Sequence, residues 1–130
     1  EVLHMIDSWL AIPYVAYGRG RDGSDCWGLV CIVREAVRGD RLPAFADIHD
    51  KRALTHAAHD MIAQGWREVS KPKVGTLVAV WRGALCMHIG IVIDIDGRMA
   101  VIDSDEKRGV AWKWLTDYLR QHAKVTLHDN

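Results

Sequence analysis

The sequence contains little cysteine, little proline and no long hydrophobic run. Its three cysteines include no Cys-x-x-Cys pair, and this spacing excludes a zinc ribbon and a thioredoxin-like redox motif. An odd, small number of cysteines indicates reduced thiols and synthesis in the cytoplasm. No apolar stretch approaches the roughly 20 residues that span a bilayer, so we expect no membrane insertion.

The chain also lacks a net charge, because 17 basic residues balance 17 acidic ones. This balance argues against a nucleic-acid partner, which a basic surface would attract. The sequence opens Glu1-Val2-Leu3 without a basic-then-apolar leader, so we expect no signal peptide. It begins with Glu1 rather than Met, as a fragment or a processed form would. With 49% apolar residues, residues 1–130 are expected to form one globular domain.

Helical periodicity dominates the first half of the chain, and strand patterns dominate the second half. The helices are expected at residues 2–11, 26–38 and about 50–64, the last one capped by Asp50. The strands are expected at residues 76–81, 87–95, 98–103 and 124–128, with 110–119 as a strand that enters a short helix. The Asp96-Gly97 pair is typical of a two-residue hairpin. Helices followed by an antiparallel meander predict an α+β fold.

Cys26 has the most informative context in the chain. A glycine-rich polar loop leads directly into the apolar helix at 26–38, and Ser24 or Asp25 is a suitable N-cap. Cys26 therefore lies in the first helical turn, where unpaired N–H groups and the positive end of the helix dipole stabilise an anion. This setting favours the thiolate, which is the nucleophilic form. Cys26 is therefore the predicted nucleophile.

A cysteine nucleophile needs a base, and a third group must orient that base. Among the seven histidines, His88 has the best context, because it lies early in a predicted strand that is expected to pack against the Cys26 helix. Its side chain shares a strand face with Gly90 and Val92. A lone histidine on a strand is more often structural, so the residues alone leave the pairing of His88 with Cys26 open.

Four sequence blocks resemble the NlpC/P60 superfamily of papain-like cysteine peptidases. The family pattern is a PYxxGG loop, then DCSGLV opening a helix, then GDLV on a strand, then HVGIY on the next strand. Here the corresponding residues read PYVAYG at 13–18, DCWGLV at 25–30, GTLV at 75–78 and HIGIV at 88–92. Four blocks in the right order are far more specific than any single one. The resemblance implies a papain-like NlpC/P60 fold, with N-terminal helices packed on a central antiparallel β-sheet.

The resemblance also implies roles for individual residues. Cys26 would attack a peptide carbonyl to give a thioester, and His88 would act first as general base and then as general acid. The backbone N–H of Cys26, with the Tyr14 hydroxyl nearby, would stabilise the oxyanion. Asp25 would cap the helix and shape the substrate pocket. The candidates for substrate binding are Asp25, Trp27 and Arg19, the last because its guanidinium can attract carboxylates.

The sequence departs from the family pattern at three positions. Trp27 stands where peptidoglycan-cleaving members usually carry Ser, and DCWGLV looks like the branch found in phage tail-assembly and tail-tip proteins. Thr76 replaces the Asp of GDLV. The third catalytic residue of the family, often a His on the next strand, has no histidine counterpart here. Asp103 is the best substitute, since it ends the third strand and can accept from an imidazole N–H. Strict hairpin alignment points instead to Val101, and a plain strand-end charge is an equally good interpretation of Asp103.

The resemblance implies a cysteine endopeptidase that hydrolyses peptidoglycan stem peptides, of the γ-D-glutamyl-diamino acid type. The phage-like motif implies work in a phage tail or tail-derived assembly, with action in the periplasm or at the cell wall. The expected partners are the stem peptide and phage tail proteins, and no metal or organic cofactor is implied. Two alternatives stay open: a non-catalytic tail-assembly module with the same fold, and an amidase or acyltransferase that uses the same Cys-His pair.

Overall fold

The computed structural model describes the backbone of residues 2–43 and 51–130, and the side chains of residues 5–43 and 54–130. In this part of the chain the helices are α1 (Val2–Leu10), α2 (Cys26–Arg38), α3 (Lys51–Ala63) and α4 (Leu115–Gln121). The strands are β1 (Arg19–Gly20), β2 (Gly23–Ser24), β3 (Arg67–Val69), β4 (Leu77–Arg82), β5 (Leu85–Ile95), β6 (Arg98–Asp105), β7 (Gly109–Trp114) and β8 (Val125–Asp129). This order confirms the predicted α+β class. Each helix among the described residues is too short or too polar to cross a bilayer.

Six strands form one antiparallel sheet in the order β3-β8-β4-β5-β6-β7. The predicted meander, β4 to β7, makes up most of it, and β8 returns to pair between β3 and β4. Asp96 and Gly97 form the predicted two-residue hairpin, with φ angles of 52° and 83°. Both angles are positive, as a type I′ turn requires, and Asp and Gly tolerate them. Local turn chemistry therefore sets the register of the central hairpin.

The sequence pattern does not predict two short elements. The glycine-rich loop contains the β1–β2 hairpin, and β3 forms one edge of the sheet. Both have strands of only two or three residues, too few to show the alternation that marks a strand. The expected cap Asp50 lies outside the described residues.

The two faces of the sheet bury different helices. Leu29, Val30 and Val33 of α2 are fully buried and belong to a core with Ile91 and Ile102 of the sheet. On the opposite face, Leu115 and Tyr118 of α4 pack with neighbours Val78, Val80, Val92 and Val101. Burying one such side chain contributes roughly 1.5–3 kcal/mol. A shift of one residue in the strand pairing would expose all the buried side chains of a strand. Burial therefore fixes the register of the strands that carry the candidate site.

Gly28 allows the first turn of α2 to pack directly on the glycine-rich loop. A Cβ at this position would lie 2.2 Å from the carbonyl oxygen of Gly18 and 3.1 Å from the Cβ of Ser24. The nearer atom belongs to the backbone and cannot rotate away as a flexible side chain can. The glycine of the DCWGLV block therefore permits the close approach that positions Cys26.

We expect the substitution Gly28→Ala to destabilise the protein by about 2 kcal/mol. Overpacking costs up to about 3 kcal/mol and outweighs the gain of about 1 kcal/mol in helix propensity. Thermal unfolding followed by circular dichroism measures the effect. Gly20→Ala is the matched control, because no atom lies within 4 Å of the added Cβ. Equal melting temperatures for the two variants would show that the contact at Gly28 is not tight.

Thr76, which stands where the family has Asp, has a structural partner. Its hydroxyl donates to Oδ2 of Asp129 at 2.8 Å. Asp129 also pairs with Arg34 at 3.2 Å and with Arg38 at 2.7 Å. Burial raises the pKa of Asp129, but the hydrogen bonds from Arg38 and Thr76 outweigh it and lower the pKa to about 2. This buried network ties β8 to α2.

Candidate active site

Cys26 is the first residue of α2, and the residue is partly exposed. Asp25 is the N-cap, as predicted, because its Oδ1 accepts a hydrogen bond from the Gly28 N–H at 2.9 Å. The same oxygen accepts from Nη1 of Arg19 at 2.8 Å. The cap therefore holds both the helix start and the preceding loop. As a result, the thiol stands at the positive end of the helix dipole.

His88 lies between Cys26 and Asp103. Its Nε2 is 2.9 Å from Oδ2 of Asp103, and Cys26 lies near enough to the imidazole to raise its pKa. Because Nε2 faces the carboxylate, Nδ1 is the ring nitrogen left for the sulfur. The structure thus brings Cys26, His88 and Asp103, the three predicted residues, together in one place. Their catalytic roles stay predictions.

The register of β5 and β6 explains why Asp103, and not Val101, reaches the imidazole. Val92 pairs with Val101, so Asp103 falls opposite Gly90. A Cβ on Gly90 would lie 3.3 Å from the Cβ of Asp103, so the missing side chain leaves room for the carboxylate. His88 is two residues from Gly90 on the same face, within diagonal reach. Val101 is fully buried in the core under α4.

The surroundings of His88 favour its protonated form. Burial lowers the pKa of His88, but the hydrogen bonds to Asp103 and Cys26, together with their negative charges, outweigh it and raise the pKa to about 9. The side chain is 20% exposed, so it is largely buried but still reaches the surface. An imidazolium next to a sulfur stabilises the thiolate. The raised pKa of His88 keeps a proton on the imidazole at neutral pH.

Tyr118 is the site residue that the sequence pattern did not indicate. Its hydroxyl donates to Oδ2 of Asp103 at 3.0 Å, so the same oxygen receives both Tyr118 and His88. Burial raises the pKa of Tyr118, and the negative charge of Asp103 raises it further, so the phenol stays a donor. The one sequence signal is a tyrosine three residues after Leu115 in a short predicted helix, and nothing in that signal points to the site.

Tyr14 lies near the nucleophile. It forms an isolated β-bridge with Ser24, two residues before Cys26. Partial burial raises the pKa of Tyr14, and the charges of Cys26 and Asp25 raise it further. The hydroxyl is therefore a protonated donor within electrostatic range of the sulfur. This placement is compatible with the predicted contact to an oxyanion.

No family model matches the sequence, and no curated protein matches it either. Solved structures do match. The NlpC/p60 domain of the peptidoglycan hydrolase SagA aligns with a TM-score of 0.59 at 16% identity, over 99% of this chain and 95% of that one. This chain has the NlpC/P60 fold. An N-acetylmuramoyl-L-alanine amidase from Bacteroides uniformis ATCC 8492 aligns with a TM-score of 0.56 at 12% identity, over 99% of this chain and 98% of that one.

Within this NlpC/P60 fold, the structure corrects the expectation that Trp27 binds substrate. Its side chain is only 1% exposed, and its Nε1 donates to the carbonyl oxygen of Pro43 at 2.9 Å. Successive residues on a helix point about 100° apart, so Trp27 turns into the core while Cys26 stays near the surface. Arg19, another residue predicted to bind substrate, forms an ion pair with Asp25 in the loop. The described residues include no group of three or more His, Cys, Asp or Glu side chains placed to hold a metal ion.

The three cysteines differ in their surroundings, and this difference predicts selective alkylation. Cys86 is 1% exposed, and burial raises the pKa of the Cys31 thiol to about 12. We therefore expect iodoacetamide at neutral pH to modify Cys26 at least tenfold faster than either of the others. Peptide mapping by mass spectrometry measures the three rates. The control is His88→Ala, which should slow the alkylation of Cys26 alone. Uniformly slow labelling of all three cysteines in the parent protein would contradict an activated thiol.

Proposed function

We propose that this chain is a cysteine peptidase of the NlpC/P60 superfamily that hydrolyses peptidoglycan stem peptides, as a γ-D-glutamyl-diamino acid endopeptidase. The observation that carries the proposal is the His88 imidazole, held between the Cys26 thiol and the Asp103 carboxylate. A thiol next to a base, with a carboxylate that orients the base, is the arrangement that acyl-transfer enzymes use. The substrate class is supported by the peptidoglycan hydrolase that shares the fold.

In this proposal the first half-reaction forms a thioester. The Cys26 thiol gives its proton to His88, and the thiolate attacks the carbonyl carbon of the scissile amide, whose π electrons move onto oxygen. The backbone N–H of Cys26 and the Tyr14 hydroxyl stabilise that oxyanion, and one such donor is worth about 3 kcal/mol of the barrier. The imidazolium then protonates the leaving nitrogen as the C–N bond breaks.

The second half-reaction hydrolyses the thioester. A water molecule gives a proton to the neutral His88 and attacks the acyl carbon. The tetrahedral intermediate collapses, the C–S bond breaks, and the thiolate leaves with the His88 imidazolium beside it. Asp103 holds the imidazole in the orientation that serves both halves, and Tyr118 holds Asp103.

We also propose that the chain is synthesised in the cytoplasm and acts in a phage tail or tail-derived assembly, at the cell wall or in the periplasm. The support is the DCWGLV block, in which Trp27 replaces the usual Ser. Because the indole is buried, this replacement changes the core beneath the nucleophile. The partners would be phage tail proteins and the peptidoglycan stem peptide.

A second candidate is cleavage of the amide between the glycan and the first stem residue. It is favoured by the solved N-acetylmuramoyl-L-alanine amidase that has the same fold. The same Cys26 and His88 chemistry applies, since both bonds are amides and only the acyl group differs. An acyltransferase would share the thioester and differ only in its acceptor.

Digestion of purified peptidoglycan tests these proposals. We expect the parent protein to release fragments with new amines at the γ-D-glutamyl bond, identified by mass spectrometry, and protein blocked with iodoacetamide to release none. Release at the glycan-proximal amide would favour the amidase, and product formed only with an added amine would favour a transferase. If the parent leaves every bond intact, the chain is a non-catalytic module and the peptidase proposal fails.

A further inference from the structure

The Oδ2 atom of Asp103 has two hydrogen-bond partners that come from different elements. The Tyr118 hydroxyl of α4 donates to it at 3.0 Å, and Nε2 of His88 on β5 lies 2.9 Å from it. A carboxylate oxygen has two lone pairs, so the two partners fill both acceptor positions of this atom. Asp103 is buried, so water does not readily replace either partner. The position of Oδ2 is therefore set by Tyr118 and His88 together.

The fold holds these two partners with different firmness. The Tyr118 side chain is buried and packs in the core that α4 covers. Its ring centroid also lies 4.6 Å from that of His122. The His88 side chain, in contrast, is partly exposed. Close packing leaves a buried ring little freedom to move, so Tyr118 is the fixed end of the contact and His88 is the adaptable end.

The backbone alone does not orient the Asp103 carboxylate. Strand pairing fixes the Cα of Asp103, but the last torsion of an aspartate side chain is broad and lets the carboxylate turn. Gly90 leaves space for this rotation, because a Cβ at that position would lie only 3.3 Å from the Cβ of Asp103. The plane of the carboxylate is therefore decided by its hydrogen-bond partners, of which Tyr118 is the firmer.

We propose that Tyr118 is a positioning residue: through the shared Oδ2 it holds the Asp103 carboxylate against His88 and so fixes the plane of the imidazole. The inference rests on the proposed function, in which the imidazole passes a proton in both half-reactions and must keep one orientation. It gives α4 a role in the site, although Tyr118 touches none of the reacting atoms of the proposed mechanism.

Tyr118→Phe tests the inference, because it removes the hydroxyl and keeps the buried ring. Without this donor Oδ2 can turn away from His88, and we expect kcat to fall about tenfold while KM stays within about twofold of the parent. Burial lowers the pKa of His88, and the hydrogen bond and charge of Asp103 are among the causes that outweigh it. A looser contact raises the pKa less, so the alkaline limb of the pH–rate profile moves down from about pH 9 towards 6.5.

The direction of this shift separates positioning from a purely electronic effect. A hydroxyl that only drew charge from Asp103 would weaken the attraction between the carboxylate and the imidazolium, and its removal would move the limb up. The other charged or titratable side chains near His88 stay in place in this variant: Cys26, Asp103, Asp105, Arg108, Lys113 and His122. A limb that rises or does not move would therefore overturn the inference.

Two control variants separate the hydroxyl of Tyr118 from other effects. Tyr17→Phe removes a hydroxyl from an exposed tyrosine of the glycine-rich loop, and Leu115→Ala removes packing from the core that α4 covers. We expect neither variant to move the alkaline limb, although Leu115→Ala should lower the melting temperature. An equal shift in Leu115→Ala would mean that the docking of α4, and not the hydroxyl, orients the imidazole.

NMR titration of ¹⁵N-labelled histidines separates failure of this inference from failure of the proposed function. It gives the protonation midpoint of His88, assigned with His88→Gln, whether or not any bond is cleaved. We expect Tyr118→Phe to lower the midpoint, and to lower it no further in an Asp103→Asn background. This result supports the inference even if the parent leaves every peptidoglycan bond intact and the peptidase proposal falls. An unmoved or raised midpoint, or an equal shift in the Asp103→Asn background, overturns the inference and leaves the peptidase proposal standing.

Discussion

Cys26→Ala is expected to lower the rate of stem-peptide hydrolysis by about 10⁴- to 10⁶-fold. Removing the nucleophile abolishes the thioester pathway, and only binding and oxyanion stabilisation remain. The substitution removes one sulfur from a partly exposed position, so we expect no loss of fold. The measurement is kcat/KM on a defined muropeptide, with the melting temperature of the same sample as the check on folding.

Cys31→Ala is the matched control for this experiment. Cys31 lies on the same helix, five residues further along, and burial raises the pKa of its thiol to about 12. A thiol of this kind stays protonated at neutral pH and is inert. We expect Cys31→Ala to keep activity within about twofold of the parent. If both variants lose activity equally, or if Cys26→Ala keeps it, Cys26 is not the nucleophile.

Asp103→Asn is expected to lower kcat about 10²- to 10⁴-fold and to shift the alkaline limb of the pH–rate profile to lower pH. The loss arises because an amide does not hold the imidazole in the required tautomer, as the carboxylate does. The shift arises because the Asp103 carboxylate raises the pKa of His88. With its charge removed, the imidazolium loses its proton at lower pH. The alkaline limb of the parent is expected near pH 9, and the profile of kcat/KM against pH measures both limbs.

Asp94→Asn controls for the loss of one negative charge from the sheet. Asp94 is exposed on β5, beside the hairpin turn, and we expect neither the rate nor the alkaline limb to move. An Asp103→Asn profile identical in shape to that of the parent would mean that the carboxylate does not set the protonation of His88. Because Asn has nearly the same volume as Asp, the Asp103→Asn variant tests charge and hydrogen bonding alone.

The same carboxylate links stability to pH. The pKa of His88 rises on folding from an ordinary 6.5 to about 9, so the folded state binds the proton more tightly. The resulting stabilisation is complete below about pH 6.5 and is lost as the pH rises through about 9. The contacts with Asp103 and Cys26 cause the rise in the pKa of His88, so the pH dependence of stability disappears when they are removed.

Local chemistry explains why α2 and the central hairpin could be predicted. The helix runs over the predicted residues 26–38, because an N-cap, an apolar period and a C-terminal glycine act within one or two turns of the chain. Gly39 adopts a left-handed φ of 78°, and its N–H bonds the Glu35 carbonyl oxygen. Asp96-Gly97 sets its turn in the same local way. The resemblance of the sequence blocks to NlpC/P60 proteins predicted the fold, and the solved structures of the same fold confirm it.

The sequence by itself determined the helix that presents Cys26, the strand that carries His88 and the order in which they follow one another. Only the tertiary structure decided that Asp103 rather than Val101 meets the imidazole, that Trp27 is buried, and that Tyr118 adjoins the site. The physical reason is that caps, turns and periodicity act between neighbours in the chain. Contacts between separate strands and helices depend instead on register and on which face is buried, as the space left by Gly90 beside Asp103 illustrates.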